Sequence, residues 1–161
     1  MKRIKVVFVC LGNICRSPLA QGAFQALVDE RGLGDYFVLD SAGTGAWHVG
    51  ENPDPRSIRT AAKHHVDIAQ QKARVFIQDD LVRFDYVFAM DLSNQRDIIK
   101  RHTDGHSTKV HLFLERTLGQ KAEVPDPYYG RSDGFEHVWS LVFQASEAWL
   151  NEICTQYEIV A

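Results

Sequence analysis

At 161 residues, with 45% apolar and 24% charged side chains, the chain has the make-up of one ordinary globular domain, residues 1–161, that can bury a core unaided. A formal net charge of −3 gives no general affinity for polyanions and argues against nucleic acid as a partner. Three cysteines, at positions 10, 15 and 154, make no disulfide framework and suit a reducing, cytoplasmic compartment.

Lys2, Arg3 and Lys5 ahead of the first apolar run imitate a secretory leader. The run is too short, however, and Phe8-Val9 before Cys10 are not the small residues that a cleavage site wants. No stretch approaches the roughly 18 apolar residues of a membrane span, so no membrane partner is expected. Residues 4–10 read as a strand covered on both faces, because the apolar run does not alternate. Ser17 can N-cap the next helix, and Pro18 suits its first turn. Ala20, Ala23, Phe24, Leu27 and Val28 then recur at helical spacing until Gly32.

Residues 36–41 read as a second strand, followed over 42–55 by a long Gly-rich connection carrying Trp47. Loops of that length are uncommon and often functional. A helix is expected over 56–65, ending in a solvated His64-His65, and a third strand over 84–90. Asp91 caps a helix running to Lys100, and 109–114 is a fourth strand. A second loop, Val124-Pro125-Asp126-Pro127-Tyr128-Tyr129-Gly130, precedes the last helix, where Asp133 and Glu136 have capping-box spacing. Phe135, Val138, Trp139, Val142, Ser146, Trp149, Leu150 and Ile153 form its core-facing stripe. Strands alternating with helices argue an α/β fold with a parallel sheet, and ligands bind at the carboxyl ends of such strands. Cys10, Ser41 and Asp91 all fall at these ends.

The chemistry concentrates in Cys10-Leu11-Gly12-Asn13-Ile14-Cys15-Arg16-Ser17-Pro18. A phosphate dianion needs several backbone N–H donors, a planar fork of charge and a helix N-terminus. This segment offers all three around a thiol that the helix dipole, loop amides and Arg16 favour as thiolate. Gly12 lets backbone approach an oxyanion closely, and Asn13 tolerates a left-handed turn. No Gly-Lys-Ser/Thr follows, which excludes a nucleotide-binding P-loop. Asp126, between two prolines, reads as readily as a turn residue as a catalytic carboxylate. The seven histidines show no ligand spacing, so no metal and no other cofactor is called for.

The segment Val9–Pro18, followed far downstream by Asp126-Pro127-Tyr128-Tyr129-Gly130, resembles the low-molecular-weight protein tyrosine phosphatases. Asp40-Ser41, Trp47, Asp54-Pro55-Arg56, Phe84-Asp85-Tyr86 and Asp91-Leu92-Ser93-Asn94 extend the resemblance over essentially the whole chain. It implies a three-layer α/β/α sandwich with a four-stranded parallel sheet and a phosphate-binding loop after the first strand. It also implies hydrolysis of phosphotyrosine and small aryl phosphates through a phosphocysteine intermediate on Cys10. Arg16 and the loop Leu11, Gly12, Asn13, Ile14, Cys15 hold the phosphate, and Asp126 serves as general acid and then base. Ser17 matches the serine that hydrogen-bonds the sulfur. Asn13 and Ser41 match a pair that braces the loop, with Gln71 where many relatives carry a bracing histidine. Cys15 matches a second cysteine able to form a reversible disulfide with Cys10, making the enzyme redox-regulated. The implied partners are a phosphotyrosine-containing protein or peptide and product-like oxyanions, with the chain a monomer or weak dimer.

Three other readings are weighed. Protein arginine phosphatases share the fold but resemble a loop with threonine where this chain has Ile14. Thioredoxin-coupled arsenate reductases need further cysteines near the third strand, and 84–90 has none. A non-catalytic phosphotyrosine-binding module would usually have lost Cys10 or Asp126. Trp47, Tyr128 and Tyr129, on the two long loops, supply aromatic walls suited to a phenyl ring. Phosphotyrosine is therefore the expected substrate.

Overall fold

A computed structural model of the chain describes residues 2–101, 109–130 and 133–160. Strand β1 (Ile4–Cys10) carries Ile-Lys-Val-Val-Phe-Val-Cys, β-branched and aromatic residues that suit a pleated surface buried on both sides. Its even-numbered side chains Ile4, Val6, Phe8 and Cys10 join one apolar cluster, and Val7 and Val9 join a second on the opposite face. Neighbouring strands are β2 (Phe37–Gly43), β3 (Tyr86–Ala89) and β4 (Val110–Leu112), in the order β2-β1-β3-β4 and all parallel.

The helices close both faces. Helices α1 (Arg16–Glu30), α2 (Pro55–Lys63) and α6 (Asp133–Gln156) cover the Phe8 face, where Phe24, Phe88, Phe113 and Trp149 pack. On the Val7 face lie α3 (Gln78–Arg83) and α4 (Leu92–Arg101), through Leu81 and Ile98. A short α5 (Glu115–Leu118) follows β4. The result is the expected three-layer sandwich, with the Cys10 loop at the carboxyl end of the central strand β1.

Several boundaries move for physical reasons. Strand β2 continues to Gly43, because Gly43 pairs with Cys10 and bridges Val75. Helix α2 starts at Pro55, since the Asp54 carboxylate caps it by accepting from the Arg56 N–H at 2.8 Å. His64 just beyond it is exposed as expected, and its ring also stacks on Trp139 at 4.8 Å and pairs with Glu136. Glu136 is thereby engaged across the helix interface, and Asp133 opens α6. Helices α3 and α5 leave no signal in the sequence, each being too short to show a helical period.

Phe8 is wholly buried, with the rings of Phe24, Phe88 and Phe113 at 5.6, 5.8 and 5.3 Å. Phe8→Ala removes the shared contact of three rings and should cost about 3–5 kcal/mol of unfolding free energy. Urea titration with an unchanged slope reads that loss; a change below about 1 kcal/mol contradicts this packing.

Candidate active site

The loop leaving β1 is wound around the Cys10 sulfur. The Asn13 N–H donates to Sγ at 3.3 Å, and the Ser17 hydroxyl lies 3.0 Å from it. Asn13 holds φ at +60°, in the left-handed region that asparagine tolerates better than most residues. Its side-chain amide donates to Ser17 Oγ at 2.8 Å and Ser41 Oγ at 2.9 Å, tying the loop to β2. Close approach of β2 depends on Gly43, where a Cβ would stand 2.8 Å from the Leu11 carbonyl.

Ser17 is not the helix cap. Helix α1 begins at Arg16 with Cys15 in the cap position and no side-chain cap bond. The Ser17 hydroxyl, one residue inside the helix, is turned back towards the sulfur. No side chain therefore competes for the first-turn amides, the groups that an anion uses at a helix N-terminus.

Arg16 is 3% exposed, yet charged. Its Nη1 donates to Asp91 at 2.6 Å and to the Val124 carbonyl at 3.1 Å, while Nη2 stands 3.7 Å from Asp126. Burial opposes the charge, but the facing Cys10 sulfur and the bond to Asp91 outweigh it and hold the guanidinium above its ordinary range. Asp91 is fixed in turn, its other oxygen accepting the Asn94 N–H at 2.7 Å as the cap of α4. Val124 donates to the Met90 carbonyl at 2.8 Å, bringing the Asp126 loop beside the Arg16 partner. Asp126 itself accepts from the Tyr128 N–H at 3.1 Å, and its side chain is 46% exposed.

These groups open on a cleft of about 430 Å³ lined by Cys10, Leu11, Gly12, Ile14, Cys15, Arg16, Trp47, His48, Asp126, Tyr128 and Tyr129. The Trp47 ring packs against Gly45, where any Cβ would collide with it. Arg56, paired with Asp54, sits over the Tyr128 ring at 5.4 Å. The rim is open, with Trp47 70% and Tyr129 95% exposed.

The family model described as low molecular weight phosphotyrosine protein phosphatase matches residues 5–158. This chain belongs to that family. It is 45% identical over 154 residues to the low molecular weight phosphotyrosine protein phosphatase of Schizosaccharomyces pombe, covering 94% of this chain and 98% of the relative. The low molecular weight protein-tyrosine-phosphatase of Streptomyces coelicolor is 41% identical, with 96% of each covered. A crystal structure of the Entamoeba histolytica protein tyrosine phosphatase with Hepes in the active site superposes with a TM-score of 0.88 at 32% identity. That match covers 98% of this chain and 99% of the other.

Within this phosphatase fold, the sequence-derived site residues fall into two shells. Cys10, Leu11, Gly12, Ile14, Cys15, Arg16, Trp47, Asp126, Tyr128 and Tyr129 line the cleft, and Asn13, Ser17 and Ser41 brace the loop behind it. Gln71 stands apart: its amide donates to the Pro18 carbonyl at 3.3 Å, and its buried Oε1 has no partner among the described residues. Its support reaches α1 one turn beyond the loop, not Asn13 or Ser41. Sequence reasoning missed His48, which faces Gly12, and the role of Asp91 as the anchor of Arg16. No helix among the described residues is long and apolar enough to cross a membrane.

Burial, with Asp54, Cys10 and Asp126 adding negative charge nearby, pushes the Cys15 thiol up to about 12. A raised thiol pKa favours the neutral form, so Cys15 stays protonated throughout the neutral range. In the folded protein at pH 8 it should take up iodoacetamide at least about 10²-fold more slowly than in the urea-unfolded chain. Peptide mass mapping resolves the two cysteines of the loop, and equal labelling rates would contradict this environment.

Proposed function

We propose that the cleft hydrolyses phosphotyrosine, Cys10 serving as nucleophile and Asp126 as general acid. The observation that carries the proposal is the convergence on one sulfur of the Asn13 N–H, the Ser17 hydroxyl and a buried arginine, with a carboxylate across the mouth. Cys10 attacks phosphorus in line, forming the S–P bond as the P–O bond to the tyrosyl oxygen breaks. Asp126 gives its proton to the departing oxygen and emerges as carboxylate. Arg16 Nη2, the loop amides and the open first turn of α1 carry the charge on the equatorial oxygens. Water then attacks the phosphocysteine and loses its proton to Asp126 as the S–P bond breaks, releasing phosphate and the thiolate. Ser17, 3.0 Å from Sγ, donates to the departing sulfur.

The aryl substrate is favoured by the walls of the cleft. Ile14 and Trp47 are apolar, Tyr128 is held by Arg56, and the phosphorus must reach the sulfur of a residue that is 2% exposed. A tyrosyl side chain has the length and the flat apolar faces for this slot, and a seryl side chain has neither. Every group in the scheme comes from one chain, so the chemistry needs no second copy, and a monomer or weak dimer would serve it equally. The chain's three unpaired cysteines suit a reducing cytoplasm, with Cys15, which lines the same cleft as Cys10, as the thiol that captures an oxidised nucleophile through nearness rather than through ionisation.

Asp126→Ala separates protonation from positioning. Phenyl phosphate, with a poor leaving group, should lose about 10²–10⁴ in kcat, whereas p-nitrophenyl phosphate should lose distinctly less. Equal losses on both esters by a folded variant would remove Asp126 as the acid.

A further inference from the structure

One carboxylate takes no part in the chemistry above and yet is completely buried. Asp80, on α3, is 0% exposed; it accepts from Arg74 Nη1 at 2.9 Å and Nη2 at 3.2 Å, and from the Ile77 N–H at 2.8 Å. The Arg74 Nε donates to Asp40 on β2 at 3.0 Å, and Arg83 reaches Asp80 only at 4.0 Å. The Arg74 fork is thus pinned between α3 and β2. Burial disfavours its charge, but the two carboxylates outweigh that and hold it above its ordinary range.

The backbone of Arg74 has another use. Its N–H donates to Asn13 Oδ1 at 3.0 Å, and its carbonyl accepts the Gly43 N–H at 2.8 Å. Both Asn13 amide hydrogens go to Ser17 and Ser41, so Arg74 completes the hydrogen bonding of the side chain that keeps the loop left-handed. The connection runs Asp80, Arg74, Asn13, Ser17, Cys10. Asp40, Arg74 and Asp80 do not line the cleft.

We infer that Arg74 and Asp80 are positioning residues for the phosphatase reaction, setting the height of the Arg74 backbone and through it the seat of Asn13 under the Cys10 sulfur. The inference rests on the reading of Cys10 as the reacting group. Loops that hold reacting atoms are sensitive to shifts of about 1 Å, which can lower rates by about 10²-fold.

Asp80→Asn tests it. Asparagine keeps the shape, and Arg74 retains Asp40 and access to solvent, so the fold should survive. With p-nitrophenyl phosphate, kcat should fall about tenfold in Asp80→Asn and also in Arg74→Lys, which keeps the charge but not the fork. On an Asn13→Ala background the same changes should cost less than about twofold, because their route to the sulfur is already cut. A purely structural role would lower both backgrounds alike. Folded variants within about twofold of the parent, or a loss repeated in full without Asn13, would overturn the inference. An inactive parent would instead overturn the reading of Cys10.

Discussion

A guanidinium that is 3% exposed organises this molecule. Removing a charge from water costs several kcal/mol unless partners replace the lost hydration, and Arg16 draws its partners from three separate parts of the chain. Asp91 comes from the end of β3, the Val124 carbonyl from the loop that carries Asp126, and the Cys10 sulfur from the end of β1. Satisfying one buried cation therefore gathers the proposed nucleophile and acid at one point. It also leaves Nη2 directed at the cleft, since Nη1 is taken by Asp91 and Val124. A phosphate dianion is the partner that suits the remaining edge.

Around that charge the loop solves a second problem, how to present amides to an anion without leaving buried polar groups orphaned. Asn13 takes the left-handed position and spends its side chain on Ser17, Ser41 and the Arg74 backbone. The helix that follows forgoes a side-chain cap, which would ordinarily contribute about 1 kcal/mol. Stability is conceded locally at a place where function needs open donors. The apolar sandwich beneath, centred on Phe8 and Trp149, supplies it elsewhere.

The sequence showed what is local. The apolar run of β1, the Cys-to-Arg spacing, the left-handed tolerance of Asn13 and the stripe of α6 are each legible in consecutive residues, and each stands where the pattern put it. What stayed hidden depends on contacts between distant segments. Asp91 was visible as a helix cap, but its second oxygen reaches back 75 positions to Arg16. Ser17 reads locally as a cap, and the family resemblance, not the local pattern, pointed to the sulfur bond that turns it inward. Gln71 matches a loop brace by position but holds α1 at Pro18. His48 gave no signal at all, since a lone histidine on a Gly-rich loop has no spacing to read. Asp80 was missed with α3, a helix of under two turns.

The central claim is that one sulfur carries the phosphoryl group during turnover. Acid-quenching the protein within its first turnovers of p-nitrophenyl phosphate, followed by peptide mass mapping, measures this directly. The account predicts one phosphoryl group on the peptide containing Cys10, disappearing into inorganic phosphate at least as fast as steady-state turnover. A label on any other residue, or hydrolysis with no labelled peptide while nitrophenol is released in a burst, would contradict it.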